Sequence, residues 1–83
     1  MLKDKIKLNL GCGTDYKEGF INVDYQGKLD VKHNLDKYPF PFKANSVDFI
    51  LVSHILEHVD EPLKFLKECQ RILKPRGRME IRV

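Results

Sequence analysis

The fold is decided by the stretch Lys5-Ile6-Lys7-Leu8-Asn9-Leu10-Gly11-Cys12-Gly13. Its first half alternates apolar and polar residues, and this period of two predicts a β-strand that ends at Leu10. Its second half places Gly11 and Gly13 one residue apart, directly after that strand. Glycine adopts positive φ and has no Cβ, so such a turn lets backbone N–H groups approach a ligand closely. The stretch therefore predicts either a nucleotide or nucleoside cradle or an ordinary flexible turn.

Length and composition indicate one small domain, which we expect to span residues 1–83. Charged residues make up 33% of the chain and hydrophobic residues 42%, as in ordinary globular proteins. The 15 lysines and arginines are interleaved with 12 acidic residues, giving a formal net charge of +3. No basic tract stands alone, so nucleic acid is not an expected partner. No apolar run approaches the roughly 20 residues of a membrane span, so no membrane partner is expected either.

The two cysteines, Cys12 and Cys69, are too few for a disulfide framework. No apolar signal segment precedes Lys3-Asp4-Lys5, and together these features predict a reduced, cytoplasmic protein. Cys12 lies in the glycine turn, where it is either a reactive thiol or a small turn residue. The sequence shows no neighbouring histidine or helix N-terminus that would activate it, which favours the turn residue.

A second short strand is predicted at residues 20–24, only six residues after Gly13. Parallel neighbours normally need a crossover of a dozen or more residues. Either a single helical turn therefore bridges the two strands, or they pair antiparallel. Asp24 ends the second strand. A carboxylate at this point either accepts hydrogen bonds from ribose hydroxyls, as in dinucleotide-binding units, or belongs to a turn.

The second half of the sequence predicts a strand, a helix and a further strand. Residues 47–52 are the most apolar run, typical of a strand buried on both faces of a parallel sheet. An N-cap acid before Pro62 and the glycine at Gly77 predict the two ends of the helix, and residues 79–83 alternate as a strand. Strand, helix and strand form a βαβ unit. Before it lie a weak third strand within residues 29–35 and a proline-rich loop, 38–42, whose phenylalanines we expect in the core.

The segment His54-Ile55-Leu56-Glu57-His58 fits the pattern His-x-x-Glu-His. On a helix, His54 and His58 would share one face and suit two zinc ligands, with Glu57 as the base. A catalytic zinc also needs a third protein ligand, and His33 is the one further histidine. A zinc hydrolase is thus a remote hypothesis, and no metal ligand is assigned. The alternative places both histidines at the carboxyl edge of the sheet, where open α/β sheets bind ligands.

Five segments in this order resemble the class I S-adenosylmethionine-dependent methyltransferases, in particular the small-molecule, type 11 group. They are Asn9–Gly13, Asn22–Asp24, Pro39–Ile50, His54–His58 and Glu68–Gly77. The resemblance implies an α/β fold with a Rossmann-like, mostly parallel sheet of about five strands. It would be a minimal or truncated methyltransferase fold with a reduced first helix. Such a fold leaves one sheet face and one edge bare, so a homodimer or larger assembly is expected.

The resemblance also implies S-adenosylmethionine as the cofactor. The cofactor-binding residues it implies are Asn9, Gly11, Cys12, Gly13, Asp24, Asn34, Leu35 and Ser53. Gly11 and Gly13 would pass under the methionine and ribose, and Asp24 would hold the ribose hydroxyls. Asn9 and Asn34 stand where the family usually has acids. Since asparagine carries no charge, weaker cofactor binding is expected.

The activity implied by the resemblance is methyl transfer to a small-molecule acceptor. A nucleophilic atom of the acceptor would displace the methyl group directly, so catalysis would depend mainly on in-line placement. His54 and His58 are the candidate catalytic residues, because histidine can accept a proton near neutral pH. The alternative is a non-catalytic cofactor-binding or assembly module that keeps the cradle but lacks an acceptor pocket.

Overall fold

Five strands and one α-helix make up the part of the chain that the computed structural model describes, residues 5–83. Lys3 and Asp4, from the segment used above to assess a signal sequence, lie outside it. The strands are β1 (Lys7–Leu10), β2 (Ile21–Asp24), β3 (Val31–Lys32), β4 (Val47–Ser53) and β5 (Leu73–Arg82); the helix is α1 (Pro62–Ile72), preceded by a 3-10 turn (Leu56–His58). No helix within residues 5–83 is long and apolar enough to cross a membrane.

All five strands lie in one sheet with the order β3-β2-β1-β4-β5, and every neighbouring pair is parallel. The predicted Rossmann-like parallel sheet of about five strands is confirmed.

The connection between β1 and β2 differs from both predicted alternatives. Residues 11–20 contain no helical turn, yet β2 lies parallel to β1, with Leu8 opposite Ile21. The helix that the resemblance implies between β1 and β2 is therefore absent and not merely reduced.

Two buried asparagines hold this helix-free connection on the sheet. Asn9 is 2% exposed and Asn22 is fully buried, and they are register partners on β1 and β2. The Asn9 Nδ2 donates to the Asp15 carbonyl oxygen at 2.8 Å and to the Asn22 Oδ1 at 2.9 Å. The Asn22 side chain accepts the Lys17 N–H at 2.9 Å and donates to the Lys17 carbonyl at 2.9 Å. Hydrogen bonds thus satisfy this face of the sheet where a helix would otherwise pack.

The opposite face of the sheet packs against α1. The fully buried residues of this core come from three strands and the helix: Leu8, Leu10, Val23, Val47, Ile50, Val52, Phe65, Cys69 and Ile72. The three helical residues follow the i, i+4, i+7 spacing of one helix face. Burial of each large apolar side chain stabilises the fold by about 1.5–3 kcal/mol. The single core therefore lies between α1 and one face of the sheet.

The proline-rich loop closes one end of this core, as predicted. Phe40 is 2% exposed and meets Phe65 edge-to-face at 5.7 Å between ring centroids. On α1, the Glu68 carboxylate accepts the Phe40 N–H at 2.6 Å, and the Arg71 guanidinium donates to the Phe42 carbonyl at 3.0 Å. These contacts supply partners for loop backbone groups that no strand pairs with.

The helix α1 starts where it was predicted, with an acid before Pro62, but it ends earlier than predicted. Glu61 occupies the N-cap position, but its side chain makes no capping hydrogen bond. The helix ends at Ile72 and β5 starts at the next residue, so Gly77 lies inside the strand and does not terminate the helix. A Cβ at Gly77 would lie 2.8 Å from the Leu73 side chain and 3.1 Å from the Val47 carbonyl oxygen. Close packing, and not a helix C-cap, therefore explains this glycine.

Candidate functional site

The carboxyl ends of β1 and β2 form an open cleft of ≈ 460 Å³. It is lined by Gly13 and Thr14, which follow β1, and by Asp24, Tyr25, Gln26 and Gly27, which end and follow β2. Carboxyl ends of neighbouring parallel strands meet at one sheet edge, and this is where open α/β sheets bind ligands. The structure thus brings together Gly13 and Asp24, which the sequence also indicated as a pair.

Both glycines of the turn after β1 have positive φ, 69° for Gly11 and 53° for Gly13. A Cβ at Gly11 would overlap the Ile55 side chain, which packs over the turn from the loop after β4. A Cβ at Gly13 would meet only the Asp24 Oδ2, at 4.0 Å. Gly11 is therefore required by packing as well as by conformation, whereas Gly13 presents bare backbone to the cleft.

Asp24 joins the two walls of the cleft. Its Oδ2 accepts the Gly13 N–H at 2.7 Å, and its Oδ1 accepts the Tyr25 N–H at 2.7 Å. An ionised carboxylate offers about four acceptor positions, so about two remain for a ligand. Adjacent hydroxyl groups, such as those of a ribose, are donors of suitable spacing for such a carboxylate.

A second turn, residues 25–30, closes against the glycine turn. A Cβ at Gly27 would lie 3.4 Å from the Gly13 carbonyl oxygen. The Tyr16 hydroxyl donates to the Asp30 Oδ1 at 2.9 Å, and the Asn22 N–H donates to the Asp30 Oδ2 at 2.8 Å. Hydrogen bonds from the Asn22 backbone and side chain, and then from Tyr16, hold the pKa of Asp30 below its usual value. An ionised Asp30 thus fixes the second wall of the cleft to the first.

Cys12 is a packed residue between the two glycines. It is 4% exposed, and its Sγ lies 3.7 Å from the Lys28 carbonyl oxygen. Burial, followed by the charge of Asp24, raises the pKa of the Cys12 thiol. A raised pKa disfavours the thiolate, which is the nucleophilic form. These observations favour the small turn residue over the reactive thiol.

Of the eight cofactor-binding residues that the resemblance implies, only Gly13 and Asp24 line the cleft, and Asn9, Asn34 and Leu35 make other contacts. The Asn9 amide is buried beneath the loop after β1, where it donates to Asp15 and Asn22. Leu35 is 9% exposed and belongs to the hydrophobic core. Asn34 forms a local turn, since its Oδ1 accepts the Asp36 N–H at 2.9 Å. Asn34 and Leu35 follow β3, one strand farther from the glycine turn.

The chain after β4 turns back over the glycine turn. Ser53 ends the strand, and His54 adopts a left-handed backbone with φ 56° while its N–H donates to the Arg82 carbonyl at 2.7 Å. This turn directs the following residue, Ile55, onto Gly11. Ser53 and His54 therefore lie at the same sheet edge as the cleft, on its β4 side.

The histidine pattern does not lie on one α-helix. His54 precedes the 3-10 turn, His58 ends it, and both are exposed. The two side chains consequently lack the shared helix face on which the zinc hypothesis rests, and that premise is wrong. Among residues 5–83, no group of three or more His, Cys, Asp or Glu side chains is arranged to hold a metal ion.

Sequence reasoning missed the residues that follow Asp24. Tyr25 and Gln26 line the cleft, and Gly27 has a φ of 96°. A glycine three residues after the end of a strand is a turn signal, and it could have indicated that the chain folds back here. No sequence pattern indicates that Tyr25 lines the cleft, because the position of its side chain depends on this turn.

The sequence matches the family model described as "Methyltransferase domain" over residues 11–81. An uncharacterized protein of Methanocaldococcus jannaschii is 34% identical over 90 residues, which cover 93% of this chain and 40% of that protein. A demethylmenaquinone methyltransferase of Staphylococcus saprophyticus is 33% identical over 70 residues, which cover 78% of this chain and 30% of that enzyme. The chain spans less than half the length of either relative.

A solved structure supports the same assignment. The crystal structure of a SAM-dependent methyltransferase from Thermotoga maritima, described as a possible histamine N-methyltransferase, matches with a TM-score of 0.69 and 28% sequence identity. The match covers 93% of this chain and 43% of that one. The family match and this neighbour support S-adenosylmethionine as the cofactor. From its sequence and its fold, the chain belongs to the methyltransferase domain family.

Proposed function

We propose that the protein binds S-adenosylmethionine in the cleft between the glycine turn and residues 24–27, and that it transfers the methyl group to a small-molecule acceptor. The observation that carries the proposal is the Asp24 carboxylate, which is held by the N–H groups of Gly13 and Tyr25 at the cleft. It retains acceptor positions for the two ribose hydroxyls. When bound, S-adenosylmethionine supplies a methyl group activated by the sulfonium charge.

The residues of the cleft fit the cofactor. Gly13 offers bare backbone, and a ligand can approach it where a side chain would otherwise stand. Tyr25 is 52% exposed and lines the cleft, so its ring gives the adenine a planar surface. The resemblance implies that Asn34 and Leu35 lie around the adenine, but Leu35 is buried in the core, and we therefore assign this contact to Tyr25. Gly11 and Cys12 belong to the glycine turn and support it beneath the cleft.

We place the acceptor on the β4 side of the cleft, beside Ser53 and His54. Ser53 ends β4 and His54 follows it, on the side of β1 that leads into the glycine turn, because Val52 is the register partner of Leu10. His54 and His58 are exposed and can accept a proton from the acceptor as the methyl group is transferred. Placing the acceptor atom in line with the methyl group accounts for most of the proposed rate enhancement.

The test is a calorimetric titration with S-adenosylmethionine and S-adenosylhomocysteine. Asp24→Ala should weaken binding by at least about tenfold, because it removes charge-assisted hydrogen bonds to the ribose. Asp24→Asn, which preserves the shape, should weaken it less. Glu18→Ala removes an exposed carboxylate from the preceding loop and should bind as the wild type does. Unchanged binding by Asp24→Ala would show that the ribose lies elsewhere.

A non-catalytic cofactor-binding or assembly module is the second candidate. It is favoured by the solvent exposure of His54 and His58, since active sites commonly exclude water around the reacting atoms. Turnover separates the two candidates. Formation of S-adenosylhomocysteine with any member of an acceptor panel supports the enzyme. Cofactor binding without its consumption across the whole panel supports the module.

We also propose that the protein is a homodimer that works in the reducing cytoplasm. Both cysteines are free thiols, as a reducing compartment maintains them.

The proposed dimer contact is the strand β5, which lies at the edge of the sheet, and Ile81 on it is 41% exposed. An antiparallel pairing of two β5 strands centred on Ile81 would place Glu80 of each copy opposite Arg82 of the other. This register pairs opposite charges on one face and the two isoleucines on the other.

A further inference from the structure

A second hollow, which we call the basic hollow, lies at the amino ends of β1 and β4. Its volume is ≈ 380 Å³, and it is lined by Lys5, Lys7, Asp48, Phe49, Arg76 and Arg78. Four of these six residues are cations, and they come from opposite ends of the described chain. The fold therefore concentrates positive charge that is dispersed among acids in the sequence.

The single acid of the basic hollow is already bound. The Asp48 Oδ2 accepts the Ile6 N–H at 2.8 Å, and the Asp48 Oδ1 lies 3.2 Å from the Lys74 Nζ. The Ile6 hydrogen bond, followed by the contact with Lys74, lowers the pKa of Asp48. Within residues 5–83, none of the four lining cations forms an ion pair with a carboxylate. The hollow thus keeps a net positive charge.

An aromatic ring lies between two of these cations. The sheet register places Lys7 of β1 next to Phe49 of β4, and Phe49 next to Arg78 of β5. Side chains in one register row share a sheet face, and neighbouring strands lie about 4.8 Å apart. Phe20 meets the Phe49 ring edge-to-face at 6.1 Å. The Phe49 ring is therefore contacted by Phe20, over whose ring the Lys7 Nζ lies at 4.7 Å from the centroid, and Arg78 lies next to Phe49 on β5.

We propose that the basic hollow binds single-stranded nucleic acid, with phosphates on the four cations and a base stacked on Phe49. A positive groove with an aromatic platform is the arrangement that binds single strands without sequence preference. An acidic peptide would use the cations but has no need of the ring, and for this reason the observations favour nucleic acid. The hollow and the cofactor cleft lie at opposite ends of β1, about 10 Å along the strand, so both can be occupied together. The proposal goes beyond methyl transfer and does not depend on it.

The test is the fluorescence anisotropy of a labelled oligothymidylate or oligouridylate of about ten nucleotides. If the four cations neutralise about four phosphates, affinity should fall about 50-fold between about 50 and 200 mM salt. Arg78→Gln should reduce the salt dependence by about one phosphate contact. Phe49→Leu should weaken binding about fivefold or more with the salt dependence unchanged. Lys67→Gln, an exposed cation on α1, is the matched control and should have no effect.

Two results would overturn the proposal. One is the absence of binding by the folded wild-type protein at the lower salt concentration. The other is a pair of observations: a glutamate-rich peptide of the same charge displaces the oligonucleotide as well as unlabelled oligonucleotide does, and Phe49→Leu binds the oligonucleotide normally. Together these observations would assign the hollow to an acidic protein partner. A thermal melt of each variant confirms folding. If Phe49→Leu does not fold, an Arg76→Gln, Arg78→Gln double variant, altered only at exposed side chains, must lose binding.

Discussion

Asn9 and Asn22 together perform the task that a helix performs in larger α/β sheets. Each asparagine amide both donates and accepts, so one buried pair can satisfy several backbone groups of a short loop. The Asn22 Nδ2 alone donates to the Lys17 and Phe20 carbonyls at 2.9 and 3.0 Å. The connection from β1 to β2 can therefore be ten residues of turns and still return the chain in parallel.

Asn22→Ala should lower the free energy of unfolding by about 2–3 kcal/mol. The substitution leaves the Lys17 N–H and the partly buried carbonyl oxygens of Lys17 and Phe20 without this partner, and an unsatisfied buried group costs about 1–3 kcal/mol. Urea denaturation measures the change. Gln70→Ala, which removes an exposed amide from α1, should change stability by less than about 0.5 kcal/mol. Equal effects of the two substitutions would show that the amide network contributes little.

At the level of elements, α1 holds the proline-rich loop through an ion pair. Arg71 donates through Nε and a terminal nitrogen to the Glu68 carboxylate, both at 2.7 Å, and Glu68 also accepts the Phe40 N–H. The Glu68 side chain is 10% exposed. The hydrogen bonds from Arg71, followed by the one from Phe40, lower the pKa of Glu68. The same contacts fix Phe40 in the core.

This pair should make stability depend on pH. The pKa of Glu68 is lower in the folded than in the unfolded protein. The ionised Glu68 therefore contributes to the free energy of unfolding above the usual glutamate pKa of 4.5, and this contribution is lost as pH falls through the pKa of the folded state. We expect Glu68→Gln to be less stable by about 1–2 kcal/mol at pH 7, and the difference from the wild type to shrink progressively as pH falls below 4.5. Glu61→Gln, at a side chain 64% exposed, is the control. If the difference in unfolding free energy between Glu68→Gln and the wild type, measured by urea denaturation, were the same at all pH values, this role would be contradicted.

The elements could be predicted from the sequence better than their pairing. Lys7–Leu10 alternates apolar and polar residues, and Val47–Ser53 contains the most apolar run of the chain, so both strands were predicted. The parallel return of β2 depends on the amide contacts of Asn9 and Asn22, which have no period. In the site, Gly13 and Asp24 were indicated by motif. The basic hollow could not be predicted, since its cations meet only after the sheet has formed.

For the whole molecule, the two edges of the sheet are unequal. β3 has two residues and β5 has ten, so only β5 offers a long edge for pairing. A charge exchange tests the proposed dimer. Glu80→Arg and Arg82→Glu should each favour the monomer, because each places like charges opposite one another across the twofold axis. The double variant restores opposite charges and should restore the dimer. Sedimentation equilibrium gives the mass, and a monomeric wild type or identical masses for all variants would contradict the register.

The amide-bridged face of the sheet has a thermal consequence. Exposing apolar surface on unfolding raises the heat capacity, whereas exposing polar surface lowers it. One face of this sheet buries hydrocarbon under α1, but the other buries Asn9, Asn22 and the loop backbone bonded to them beside Leu51. Calorimetry should therefore give a heat-capacity change of unfolding below the usual value of about 12 cal/mol/K per residue. A value at or above it would contradict this reasoning. A small heat-capacity change flattens the stability curve, so the protein should lose little stability on cooling.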